Sequence, residues 1–82
     1  MENLKIKINK VDKDLPTPSY KCHGDAGMDL YSTETIIIQP GEIKGISTGI
    51  RVAIPFGYEM QVRPRSGLAL KHGISMINSP GT

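Results

Sequence analysis

Eleven Ile, three Val and five Thr give this 82-residue chain 19 β-branched residues, against eight Ala plus Leu. Two branches at Cβ crowd a helix but suit the pleated, half-buried face of a sheet. Nine Gly and six Pro are spread through the same chain. They cut it into short pieces, since each favours a turn or removes a ladder donor. Many short β-prone pieces between turn residues predict an all-β fold, a sandwich or barrel.

The pieces can be placed along the chain. Leu4, Ile6 and Ile8 alternate with Lys5, Lys7 and Asn9, the pattern of a strand with one wet face. Residues 15–20 contain two prolines and read as extended loop. In residues 24–32, glycines give way to alternation, with Met28 and Leu30 on one face and Asp29 and Tyr31 on the other. Residues 33–38 continue extended. Pro40-Gly41 fits the centre of a type II turn. Ile50, Val52 and Ile54 on one side of Pro55-Phe56-Gly57, and Tyr58, Met60 and Val62 on the other, predict a hairpin. Ser66 is placed to cap one helical turn through Leu68–His72, with Gly73 closing it in the left-handed conformation. Residues 74–77 return to strand, and Ser79-Pro80-Gly81-Thr82 is a further turn.

Composition narrows the class. A domain of this size buries only about 60–65% of its unfolded surface, and the 38% hydrophobic share makes the core thin. The net charge of +2 is too small to imply nucleic-acid binding. Cys22 is single, which excludes an intrachain disulfide and a cysteine-based metal site. The longest apolar run, Ile36-Ile37-Ile38, is far short of a membrane span. Glu2, Lys5, Lys7 and Lys10 interrupt any apolar stretch near the start, so no secretory signal is expected. A soluble, cytoplasmic protein of a reducing compartment fits.

Few residues suggest chemistry. Cys22 and His23 are chain neighbours, which point to opposite faces of a strand, so they make no catalytic pair. Arg65-Ser66-Gly67 before a helix start offers a bidentate donor, a hydroxyl and a close backbone approach, beside free N–H groups. That set reads either as an anion site or as an ordinary capped turn. Asp29 reads either as a solvated strand residue or as a partner, through water, of a Mg²⁺ ion near phosphates, since Mg²⁺ needs few protein carboxylates. Asp25, in the Gly-rich turn, reads as structural.

Three motifs then carry a resemblance. Residues 25–32, Asp-Ala-Gly-Met-Asp-Leu-Tyr-Ser, and residues 64–74, Pro-Arg-Ser-Gly-Leu-Ala-Leu-Lys-His-Gly-Ile, are similar to the first two motifs of the trimeric deoxyuridine triphosphatases (dUTPases). Residues 78–82, Asn-Ser-Pro-Gly-Thr, resemble the opening of the third. The resemblance implies a distorted jelly-roll β-barrel and a homotrimer with shared active sites. It implies Mg²⁺-dependent hydrolysis of dUTP to dUMP and pyrophosphate, which keeps uracil out of DNA. Asp29 matches the aspartate that orders water around the Mg²⁺–triphosphate. Arg65, Ser66 and Gly67 match the phosphate-holding residues, and Asn78 matches a position that contacts the uracil edge. Deoxycytidine triphosphate deaminase shares the fold but differs in the phosphate-side motif.

In the family, Gly-Thr of motif three is followed by Ile-Asp and a Tyr-Arg-Gly-Glu-like run. The aspartate of Ile-Asp activates the attacking water, and the tyrosine of the run after it packs on the deoxyribose. The expectation is an N-terminal portion truncated within motif three, with five or six strands, inactive alone and unstable as a monomer. The alternatives are a non-catalytic nucleotide-binding or interaction module derived from a dUTPase, and a fragment with a purely structural role.

Overall fold

The computed structural model describes residues 3–82. Met1 and Glu2, the latter one of the charges that interrupt the N-terminal apolar stretch, lie outside them. Two short strands pair antiparallel in an open sheet, β1 (Lys7–Lys10) and β2 (Ile50–Ala53). The register sets Ile8 opposite Val52 and Asn9 opposite Arg51. The predicted alternation survives in β2. Ile50, Val52 and Ile54 are half-buried, while Arg51 and Ala53 are exposed. It fails at the N-terminal run, where Leu4 and Ile6 before β1 and Ile8 within it are all exposed: the apolar face has no cover.

Two expectations about pairing are corrected. The stretch Tyr58–Val62 does not form a hairpin with β2. The turn at Phe56-Gly57 is present, with the Tyr58 amide donating to the Pro55 carbonyl at 3.2 Å, but β2 takes β1 as its partner. Val62 pairs instead with Gly81 in an isolated antiparallel bridge. Likewise, the five or six strands of the sequence reading become two among the described residues. The other β-prone runs are extended without a continuous ladder, because alternation prepares a strand but only a partner completes it.

Turn positions follow the glycines more faithfully. Gly41 has φ +77°, and the Glu42 amide donates to the Gln39 carbonyl at 2.9 Å, as a type II turn requires. The last turn sits at Ile77-Asn78 rather than on residues 79–82, closed by the Ser79 amide on the Met76 carbonyl at 3.4 Å. The single helix among the described residues, α1, spans Ser66–His72. Gly73 ends it with φ +67°, and the Gly73 and Ile74 amides return to the Ala69 and Leu68 carbonyls. Arg65, not Ser66, occupies the capping position, and no side chain caps the helix. Ser66 is the first helical residue.

The thin core becomes no core. No apolar side chain is buried among the described residues. The accessible area of 7460 Å² compares with about 4800 Å² for a compact monomer of this mass. Only about 40% of the unfolded surface is therefore removed from water, against the 60–65% expected of a domain this size. The radius of gyration, 14.3 Å, exceeds the roughly 12 Å of a compact chain of this length. Strand and extended coil dominate, consistent with the all-β class, and the sheet is open. No helix among the described residues is long and apolar enough to cross a membrane.

Candidate functional site

The helix start and the extended segment around Asp29 meet. They are far apart in sequence, yet Arg65 Nη1 lies 3.6 Å from Asp29 Oδ2. A second cation reaches the same oxygen, with Lys21 Nζ at 2.8 Å. A tight turn brings Lys21 there. The Cys22 amide donates to Asp25 Oδ2 at 2.9 Å, and the Asp25 amide donates to the Cys22 carbonyl at 3.2 Å. Gly24 supplies φ +89° within that turn. Asp25 is thus structural, as its place in the sequence suggested.

Two cations on one carboxylate set its charge state. The hydrogen bond from Lys21 does most to hold the Asp29 carboxyl below its ordinary value, partial burial opposes this, and the Arg65 charge adds to it. The Lys21 ammonium is raised in turn, chiefly by its hydrogen bond to Asp29. Asp29 is therefore an anion at neutral pH and a poor proton acceptor.

Beside this triad, Arg65, Ser66, Gly67, Leu68, Lys71 and His72 line an open depression of about 410 Å³. The first-turn amides have no carbonyl partner within the helix. With no side chain capping them, they remain available to an acceptor. Lys71 follows Gly67 by four residues and so stands over the same face. The balance is cationic: Lys21, Arg65 and Lys71 against Asp29 alone. The arrangement can receive an anion with several oxygens.

Of the predicted site residues, Asp29, Arg65, Ser66 and Gly67 come together. Asn78 does not join them. It sits in the last turn, and the Val62–Gly81 bridge ties that turn to the segment entering α1. Asn78 makes no hydrogen bond to the triad among the described residues. Cys22 is exposed and free. Sequence reading missed Lys21 and Lys71. The four-residue spacing from Gly67 signals Lys71, but nothing local signals Lys21, which depends on the turn between it and Asp29. No group of three or more His, Cys, Asp or Glu that could hold a metal exists among the described residues.

The fold and the site define a strand-and-coil chain in which the start of α1 faces a cationic depression with the Asp29 carboxylate beside it. Comparison with known proteins is consistent with that description. The family model for dUTPase matches residues 13–79. A deoxyuridine 5'-triphosphate nucleotidohydrolase of Thermoanaerobacter sp. (strain X514) is 57% identical over 81 residues, covering 94% of this chain and 55% of the relative. The protein of that name from Clostridioides difficile is 55% identical over 82 residues, covering 100% and 56%. Its counterpart from Nautilia profundicola is 53% identical over 79 residues, covering 96% and 56%. The chain belongs to the dUTPase family. It spans little more than half the length of these relatives.

Proposed function

We propose that the protein hydrolyses dUTP to dUMP and pyrophosphate and so limits uracil incorporation into DNA. The observation that carries this reading is the meeting of Asp29 and Arg65 at 3.6 Å. It sets a carboxylate beside a cationic depression, the two features that a metal-bound triphosphate requires. Family membership and the names of the relatives support the same reading.

The roles follow from the donors. Arg65 gives paired N–H donors to phosphate oxygens. Ser66 adds a hydroxyl, and the backbone at Gly67 lets an oxygen approach closely. The excess of cations concentrates the anionic substrate. Asn78 offers an amide donor and acceptor, which suit the mixed donor and acceptor edge of uracil.

Mg²⁺ fits the donor set in one way only. A single carboxylate does not make a protein cage, but Mg²⁺ retains waters and takes phosphate oxygens as ligands. Both ion pairs fall on Asp29 Oδ2, leaving Oδ1 for a metal-bound water. When bound, the ion neutralises charge that develops on the phosphates. The attacking water needs a separate base, because Asp29 is held as an anion of low basicity. We therefore place binding and charge placement in these residues and assign the base to none of them. The jelly-roll barrel and the homotrimer of the family complete the proposal.

The test is pyrophosphate release from dUTP with Mg²⁺ by the protein at its natural length. Turnover is expected there. Arg65, Ser66 and Gly67 should hold the triphosphate, so replacing Arg65 by Met should raise KM for dUTP. An assembled natural-length protein that releases no pyrophosphate would overturn the proposal in favour of a non-catalytic nucleotide-binding module.

A further inference from the structure

We infer that Lys21 is a positioning residue that keeps Arg65 available for phosphate by saturating the Asp29 oxygen the two cations share. The inference rests on the phosphate role proposed for Arg65.

The geometry is unequal. Lys21 Nζ stands 2.8 Å from Asp29 Oδ2, within charge-assisted hydrogen-bond range, whereas Arg65 Nη1 stands 3.6 Å from it, outside that range. A guanidinium beside a free carboxylate ordinarily closes on it with two parallel N–H···O bonds. That closure would occupy one donor edge of Arg65 and both oxygens of Asp29, the groups the phosphate and the hydrated metal need. Lys21 prevents it in two ways. It takes a lone pair of Oδ2 at 2.8 Å, and its positive charge repels the guanidinium.

Stability is a weak reason for the Lys21 contact. The Lys21 side chain is 61% exposed and that of Arg65 64%, and exposed ion pairs add little to folding. Nor does Lys21 line the depression. It reaches Asp29 from the turn held by Asp25. Its position suits a group that competes for the carboxylate better than one that grips the ligand.

The experiment is a double-mutant cycle on the protein at its natural length, with inorganic pyrophosphate as the probe and calorimetry as the readout. Lys21→Met should weaken pyrophosphate binding about tenfold, the scale of one charge-assisted hydrogen bond. Arg65→Met should weaken it at least as much. Because Lys21 acts through Arg65, the double variant should bind no more weakly than Arg65→Met alone. Lys21→Arg, which keeps the competing charge, should recover most of the loss. In steady state, Lys21→Met should raise KM for dUTP more than it lowers kcat.

Additive losses in the double variant would mean that Lys21 touches the phosphate itself or acts through general structure, and either overturns the inference. Failure of Lys21→Arg to recover binding overturns it as well, as does an unmodified protein that does not bind pyrophosphate. A protein that binds pyrophosphate with the expected coupling but leaves dUTP intact would instead defeat the proposed hydrolysis and leave the role of Lys21 standing.

Discussion

Gly49→Ala probes the one position where backbone conformation and close packing coincide. Gly49 is the single buried residue among those described, and its φ is +70°. Its carbonyl accepts the Val11 amide at 2.8 Å and the Asp12 amide at 3.1 Å, which tie the end of β1 to the start of β2. A Cβ at this position would lie 2.7 Å from Leu15 Cδ1, 2.8 Å from Thr33 Cγ2 and 3.1 Å from Asp12 Cβ. The left-handed backbone costs a residue with a Cβ about 1–2 kcal/mol. Forcing a methyl group into filled space costs about 1–3 kcal/mol. Leu15 Cδ1 ends a flexible side chain and can rotate away, whereas Thr33 Cγ2 sits on a β-branched side chain that is stiff at χ1, so we expect a total loss of about 2–5 kcal/mol, the sum of these two costs.

Two other glycines separate the contributions. Gly41 has φ +77° but nothing within 4 Å of an added Cβ, so Gly41→Ala should cost about 1 kcal/mol from the backbone alone. Gly45 has neither a positive φ nor a close neighbour, so Gly45→Ala should fall within about 0.5 kcal/mol of the parent. Urea midpoints at constant slope, measured on the natural-length protein, read all three. A Gly49 variant no less stable than the Gly41 variant would refute the packing argument. The site should register the same change. Thr33 is four residues beyond Asp29, and its amide donates to the Ser47 carbonyl at 3.1 Å, so pressure on Thr33 bears on the segment that presents the carboxylate.

Two further predictions concern charge and surface. The Asp29 carboxyl is held below its ordinary 3.8, so the stabilisation from its pairing is present above that value and is lost as pH falls through the lower folded value. Lys21 is raised above 10.5, so its share is full below that value and is lost as pH rises through the higher folded one. A carboxyl-carbon titration by NMR should place the Asp29 midpoint under 3.8, and a midpoint at or above 3.8 would contradict the pairing. As for surface, Phe56, Leu70 and Ile77 are 106%, 86% and 84% exposed. The 82 residues in isolation should therefore bind a hydrophobic dye and self-associate in light scattering, whereas a clean monomer with a cooperative melt would contradict the open arrangement.

What was legible in the sequence divides by range. Gly41, Gly57 and Gly73 marked turns and a helix end correctly, because a positive φ is a local demand that glycine meets alone. The helix itself was legible from the short run between Arg65 and Gly73. Its cap was misread because Ser66 satisfies the capping preference one position too late. Pairing was the failure. The alternation at 58–62 suits any partner, and the nearest run in sequence proved not to be the one chosen. The site shows the same division. Arg65, Ser66 and Gly67 are contiguous and were read together. Asp29 came from its motif, while Lys21 was invisible because its contact depends on the turn at Cys22–Asp25.

A carboxylate at the edge of an anion site is a paradox that Asp29→Asn can resolve. If Asp29 serves only as a countercharge, its removal leaves Lys21, Arg65 and Lys71 unopposed. Inorganic pyrophosphate should then bind more tightly without Mg²⁺, by about two- to fivefold for one exposed pair. The same change removes the acceptor for a metal-bound water, so Mg²⁺-dependent turnover of dUTP should fall. The two readouts move in opposite directions, which misfolding cannot mimic, since a collapsed site loses both. Weaker pyrophosphate binding with Asn at this position would show that the carboxylate orients Arg65 rather than offsetting its charge. Tighter binding together with slower turnover would place Asp29 as the residue that gives up affinity for the bare anion in return for selecting the metal-bound one.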